Sequence, residues 1–164
     1  MVAKIPLSLT YLRIIIIPFF VFAFFIPGEI GKWSTCGIFI FACLTDYLDG
    51  KLARSLDQES KLGALLDPIA DKIIVAVALM LLIHDETIKD LTLFAALIII
   101  SREILVSGLR EFLASLQISL PVSSLSKAKT FVQMFALSVL LSGEPGNDFL
   151  YGYGRDLGLT SLWI

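Results

Sequence analysis

The stretch TDYLDGKLARSLDQESKLGALLDPIADK, Thr45 to Lys72, includes four aspartates at helical spacings, Asp46, Asp49, Asp67 and Asp71. On a helix Asp46, Asp49, Gly50 and Ala53 fall at i, i+3, i+4 and i+7, so two carboxylates and two very small residues share one stripe. Gly63, Asp67 and Asp71 fall at i, i+4 and i+8 and make a second stripe on the next helix. A break at Asp57 to Lys61 separates them. It predicts two antiparallel neighbouring helices with both acidic stripes at one end.

Around this acidic segment the chain is very apolar. Of its 164 residues 57% are hydrophobic, and the mean hydropathy is +0.86, whereas an ordinary soluble domain has about 45–50% apolar residues. Apolar runs recur, most near the roughly 20 residues that cross a bilayer core as a helix. The reading is an all-α, polytopic membrane bundle forming a single domain over residues 1–164. Its predicted spans run from about Leu7 to Ile26, Trp33 to Leu56, Leu62 to His84, Leu91 to Leu116 and Ser126 to Leu141. Pro18 is expected to kink the first span, and Pro27-Gly28 to end it. No small-residue cleavage site follows the opening apolar run, so it reads as a retained span, not a signal peptide. A polar stretch, GEPGNDFLYGYGRDLG, leads into LTSLWI, and the chain stops at Ile164 as a new apolar run begins. A sixth span is therefore expected to be cut short.

Orientation follows from Lys and Arg. With a cytoplasmic N-terminus, that side receives Lys4, Arg13, Lys51, Arg54, Lys61, Arg110, Lys127 and Lys129, against Lys32, Lys89 and Arg155 on the other. The acidic stripes then face the cytoplasm, from a protein integral to the cell (inner) membrane. The net charge of −2 and the lack of a basic arm give no reason to expect nucleic acid.

Four gathered carboxylates repel one another and are costly near hydrocarbon, so they must be protonated, paired or bound to cations. Oxygen ligands without His or Cys select hard ions such as Mg²⁺, Mn²⁺ or Ca²⁺. Two such ions can clamp a phosphoryl group during in-line displacement. Gly50, Ala53 and Gly63 leave room for a phosphate-bearing ligand, although small residues also serve plain helix packing in membranes.

Together these residues spell D-x2-D-G-x2-A-R-x8-G-x3-D-x3-D from Asp46 to Asp71. The pattern resembles the signature of the CDP-alcohol phosphotransferases, integral membrane enzymes that make phospholipids from a CDP-activated donor and an alcohol. The resemblance implies that Asp46, Asp49 and Asp67 ligate metal, Mg²⁺ or Mn²⁺ with two ions per site, and that Asp71 helps hold the metals and acts as general base. It implies a CDP site bordered by Gly50, Ala53, Arg54 and Gly63. Family members also open with a Pro-Asn-x-x-Thr-x-x-Arg pattern that helps hold the nucleotide. Here Pro6, Thr10 and Arg13 match, while Leu7 stands in place of Asn, with Ser8 as a weaker substitute.

A second group of residues addresses an acceptor. Arg102 lies about eleven residues into the fourth span, roughly 16 Å deep, and so must face protein or a wet cavity. Arg110 follows two turns later, and Lys127, Lys129 and Thr130 open the next span at the same end. Cations converging beside a metal cluster suit an anionic ligand, Arg by its fork and Lys as a point charge. The alternatives are counter-ions for Glu103 or Glu111 and anchoring at anionic lipid. SREILVSGLREF, KAKTFVQM and the opening IPLSLTYLR are similar to the branch of the family that makes phosphatidylglycerophosphate. That similarity implies CDP-diacylglycerol as donor, sn-glycerol 3-phosphate as acceptor, and a homodimer. Two other readings stay open: the same family with another acceptor such as inositol phosphate, and a cation channel or transporter that uses the intramembrane acids. Cys36 and Cys43 read as packing residues, His84 as an interfacial one, and Trp33, Trp163 and the tyrosines near Tyr151 as an aromatic belt.

Overall fold

The computed structural model describes residues 5–56, 61–117 and 124–163, with side chains for residues 11–45, 69–114, 116–117 and 128–163. Among the described residues the secondary structure is all helical. The predicted spans become α1 (Ile5–Phe24), α2 (Glu29–Leu56), α3 (Lys61–His84), α4 (Leu91–Ser115) and α5 (Ser124–Leu141). The polar stretch after α5, to which the sequence assigned no element, forms two short helices, α6 (Gly143–Phe149) and α7 (Gly154–Ser161). Periodicity missed them because each is only about two turns long and rich in glycine, so tertiary packing, not propensity, supports them.

α1 runs through Pro18 without ending. α3 starts at Lys61, so Pro68 lies inside it. Gly28 ends the α1 turn with φ of 84°, a left-handed conformation that glycine adopts without a Cβ clash.

Phe20 and Phe39, on α1 and α2, are fully buried with ring centroids 5.9 Å apart. Around them pack Leu79 and Leu82 of α3 with Leu137 and Leu141 of α5. The direct α2–α3 packing expected from the sequence is not the main contact among the described residues. Instead α2 lies on α1, α5 and α6, and α3 on α1, α4 and α5, so α1 and α5 touch both acidic helices. Their antiparallel sense does hold, because Lys32 Nζ near the start of α2 meets Asp85 Oδ2 just past the end of α3 at 2.6 Å.

The outer surface is the reverse of a soluble protein's. Phe22, Leu105 and Phe131 are 75%, 72% and 75% exposed, and such a continuous apolar exterior marks contact with lipid or protein. One stretch, Leu91–Ala114, is long and apolar enough to cross a membrane among the described residues, while Tyr11–Phe24 and Ala128–Leu141 are apolar but shorter. α4 packs mainly on α3 and leaves most of its surface uncovered.

Candidate active site

α2 and α3 are continuous helices through both acidic stripes, so the backbone carries the spacing that the sequence predicted. The side chains of Asp46, Asp49, Gly50, Ala53, Arg54, Gly63 and Asp67, with those of Thr10 and Lys127, lie outside the described residues. Their levels along the bundle nevertheless follow from the Lys32–Asp85 contact. Asp46 comes 14 residues after Lys32, and Asp71 comes 14 residues before Asp85. At 1.5 Å per residue both backbones sit about 21 Å from that contact, at about the same level of two antiparallel helices. Asp49 and Asp67 likewise fall near 26 Å. The four aspartates thus gather towards one end of the bundle. Asp71 itself is half-buried.

Arg13 is only 2% exposed, on the helix that packs against both acidic helices. The end of α1 nearest the Lys32–Asp85 contact is marked by Phe24, whose ring lies under Lys32 Nζ at 5.0 Å. Arg13 precedes Phe24 by 11 residues, or about 16 Å, which brings it within about a turn of the level of Asp46 and Asp71. A buried guanidinium in a membrane-type bundle needs compensating charge or hydrogen bonds, and the acidic stripes are suited to supply it. The sequence marked Arg13 by motif alone; burial singles it out as part of this region.

The basic residues are less gathered than expected. Arg102 Nη1 donates to Glu103 Oε1 at 2.9 Å, with side chains 32% and 31% exposed, which is the counter-ion arrangement. Arg110 is exposed on α4, and Lys129 is half-buried on α5. Among the described residues α4 and α5 do not pack extensively on each other, but both flank α3. Arg110 lies 19 residues from the start of α4, about 28 Å along it, near the level of Asp49 and Asp67. Gln133, one turn from Lys129, is buried at 7% exposure. Sequence reading passed over it, although a lone polar residue in the apolar run FVQMFAL was the available signal.

The remaining residues behave as packing or interface groups. Cys36 Sγ donates to the Ser138 carbonyl at 3.2 Å, Cys43 Sγ lies 3.5 Å from Met134 Sδ, and neither cysteine is in a disulfide. His84 meets the Phe25 ring edge-on at 5.6 Å at the far end of α3. Among the described residues no three His, Cys, Asp or Glu side chains gather as a metal set. The motif aspartates offer oxygen donors only, two residues on each of two helices whose backbones place them at matched levels.

The sequence matches the CDP-alcohol phosphatidyltransferase family profile over residues 3–163, and the chain belongs to that family. It is 40% identical over 162 residues to the CDP-diacylglycerol–glycerol-3-phosphate 3-phosphatidyltransferase of Rickettsia felis, covering 98% of this chain and 86% of the relative. The proteins of the same name from Pseudomonas fluorescens and Haemophilus influenzae are 45% and 46% identical, over 98% and 84% of this chain and 85% and 75% of theirs.

Proposed function

We propose that the chain transfers the phosphatidyl group of CDP-diacylglycerol to sn-glycerol 3-phosphate, giving phosphatidylglycerophosphate and CMP. The observation that carries this reading is the complete aspartate motif in the sequences of α2 and α3, in a chain so similar to phosphatidyltransferases of that specificity. Five helices cross the inner membrane, with the N-terminus and the acidic end in the cytoplasm, and the protein works as a homodimer. The lysine and arginine bias between the two ends supports that orientation.

Asp46, Asp49, Asp67 and Asp71 would hold Mg²⁺ or Mn²⁺, which when bound neutralises pyrophosphate charge. Asp71 accepts the proton of the glycerol hydroxyl as that oxygen attacks the phosphorus bearing the lipid. The bond from that phosphorus to the bridging oxygen breaks, and CMP leaves. Gly50, Ala53 and Gly63 admit the nucleotide close to backbone, with Thr10 and Arg54 at its edge. Arg110, Lys127 and Lys129 supply positive charge to the acceptor phosphate, and Arg102 does so only by leaving Glu103. The acyl chains stay in lipid throughout, which suits a site built in the membrane.

The test is CMP release by purified protein given CDP-diacylglycerol and, in turn, glycerol 3-phosphate, inositol phosphate and glycerol. Release with glycerol 3-phosphate alone is expected. Faster release with inositol phosphate would reassign the acceptor, and no release with any acceptor would favour a transport role for the acids.

A further inference from the structure

At the end of the bundle opposite the aspartates lies a half-open cavity of about 710 Å³, framed by the start of α2, the loop before α4, the end of α5, α6 and the start of α7. It sits beside the Lys32–Asp85 ion pair, so the level arithmetic above puts it more than about 20 Å from the motif aspartates. It is therefore separate from the site already described.

The cavity carries both signs of charge. Lys32 and Asp85 neutralise each other, and Lys32 also lies over the Phe24 ring. What remains is Lys89 and Arg155 facing Glu29, Glu86 and Glu144, all exposed to solvent, above an apolar floor from Val139 and buried Leu140. The Arg155 amide donates to Asn147 Oδ1 at 3.1 Å, which ties the start of α7 to α6 and keeps that residue at the rim. A simple anion here meets three carboxylates, and a simple cation meets two positive side chains. A ligand that joins phosphate to ammonium through a short carbon chain satisfies both sets and lays its methylenes on the floor.

The surroundings indicate where such a ligand comes from. Trp33, Tyr151 and Tyr153, at the same end, are 46%, 93% and 68% exposed. Exposed Trp and Tyr collect at the head-group level of membranes. We propose that this cavity binds the phosphoethanolamine head group of an outer-leaflet phospholipid, with Lys89 and Arg155 on the phosphate and the glutamates on the ammonium. The inference rests on the reading that the helices cross the membrane.

The full chain, purified in detergent, is titrated with short-chain phosphatidylethanolamine, short-chain phosphatidylglycerol and glycerophosphoethanolamine, and CMP release is measured in the same preparations. Phosphatidylethanolamine should bind about fivefold tighter than phosphatidylglycerol, the upper reach of one exposed charge pair. Lys89→Gln and Arg155→Gln should each weaken both lipids about threefold to fivefold. Glu144→Gln should weaken only phosphatidylethanolamine, and CMP release should stay at wild-type rate in all three variants. Equal affinity for the two lipids, or wild-type affinity in the Lys89→Gln/Arg155→Gln double variant, overturns the site while leaving the transferase reading intact. Binding of glycerophosphoethanolamine as tight as that of the lipid overturns the lipid source. Selective lipid binding without CMP release supports the site and removes the proposed activity instead.

Discussion

A carboxylate near hydrocarbon persists only where something offsets its desolvation. Arg13 is buried within about a turn of the level of Asp46 and Asp71. Asp46→Asn, Asp49→Asn and Asp67→Asn are each expected to abolish CMP release in protein that still inserts into membranes; full activity in one of them, beside a chelator-sensitive wild type, removes that residue from the metal set. The acceptor prediction now centres on Arg110, since Arg102 is held by Glu103. Charge-assisted bonds to phosphate contribute about 1.5–3 kcal/mol. Arg110→Gln should therefore raise the KM for glycerol 3-phosphate roughly tenfold to a hundredfold with donor affinity little changed. An unchanged acceptor KM ends its phosphate role, and lost donor affinity moves it to the nucleotide.

Among the elements, α7 shows why a short glycine-rich helix can be a firm part of the bundle. Gly158 is buried where a Cβ would stand 2.6 Å from Leu140 Cγ and 3.4 Å from the Ala136 carbonyl oxygen, so α7 meets α5 at backbone distance. Small residues are what allow such close approach in membrane bundles, where van der Waals packing replaces the hydrophobic effect between helices. Gly158→Ala forces Leu140 or α7 to move, and overpacking of this kind costs about 1–3 kcal/mol. Thermal unfolding in detergent should show a lowered midpoint, with no comparable change for Gly37→Ala, where a Cβ meets nothing within 4 Å. Equal midpoints for both variants would mean that α7 is not held by this contact.

For the whole molecule the questions are metal and membrane. Chelation should stop CMP release, and added Mg²⁺ or Mn²⁺ should restore it; activity that survives exhaustive chelation removes the ion from the reaction. Topology can be read from single cysteines placed at Lys89 and Arg110 in a chain whose Cys36 and Cys43 are replaced by serine or alanine. In intact cells a membrane-impermeant thiol reagent should label Lys89→Cys and leave Arg110→Cys unlabelled. Labelling of both, or only of Arg110→Cys, contradicts the orientation. Either result bears directly on the cavity beside the Lys32–Asp85 pair, because the proposed head-group site requires Lys89 on the side away from the cytoplasm.

The positions of α1 to α5 were legible in the sequence, because hydrophobic run length and residue spacing are local properties of the chain. The membership of Asp46 to Asp71 in one motif was legible for the same reason. Pro18 and Pro68 lie inside α1 and α3, where helix on both sides carries the chain through them. α6 and α7 were invisible because residues distant in sequence, Ala136 and Leu140 among them, supply their stability. Only the tertiary structure decided that Lys32 meets Asp85, that Asp46 and Asp71 share a level, that Arg13 is buried while Arg102 pairs with Glu103, and that a mixed-charge cavity opens at the far end. Each of these depends on the relative height and rotation of separate helices, which interhelical packing sets and no single helix's periodicity encodes.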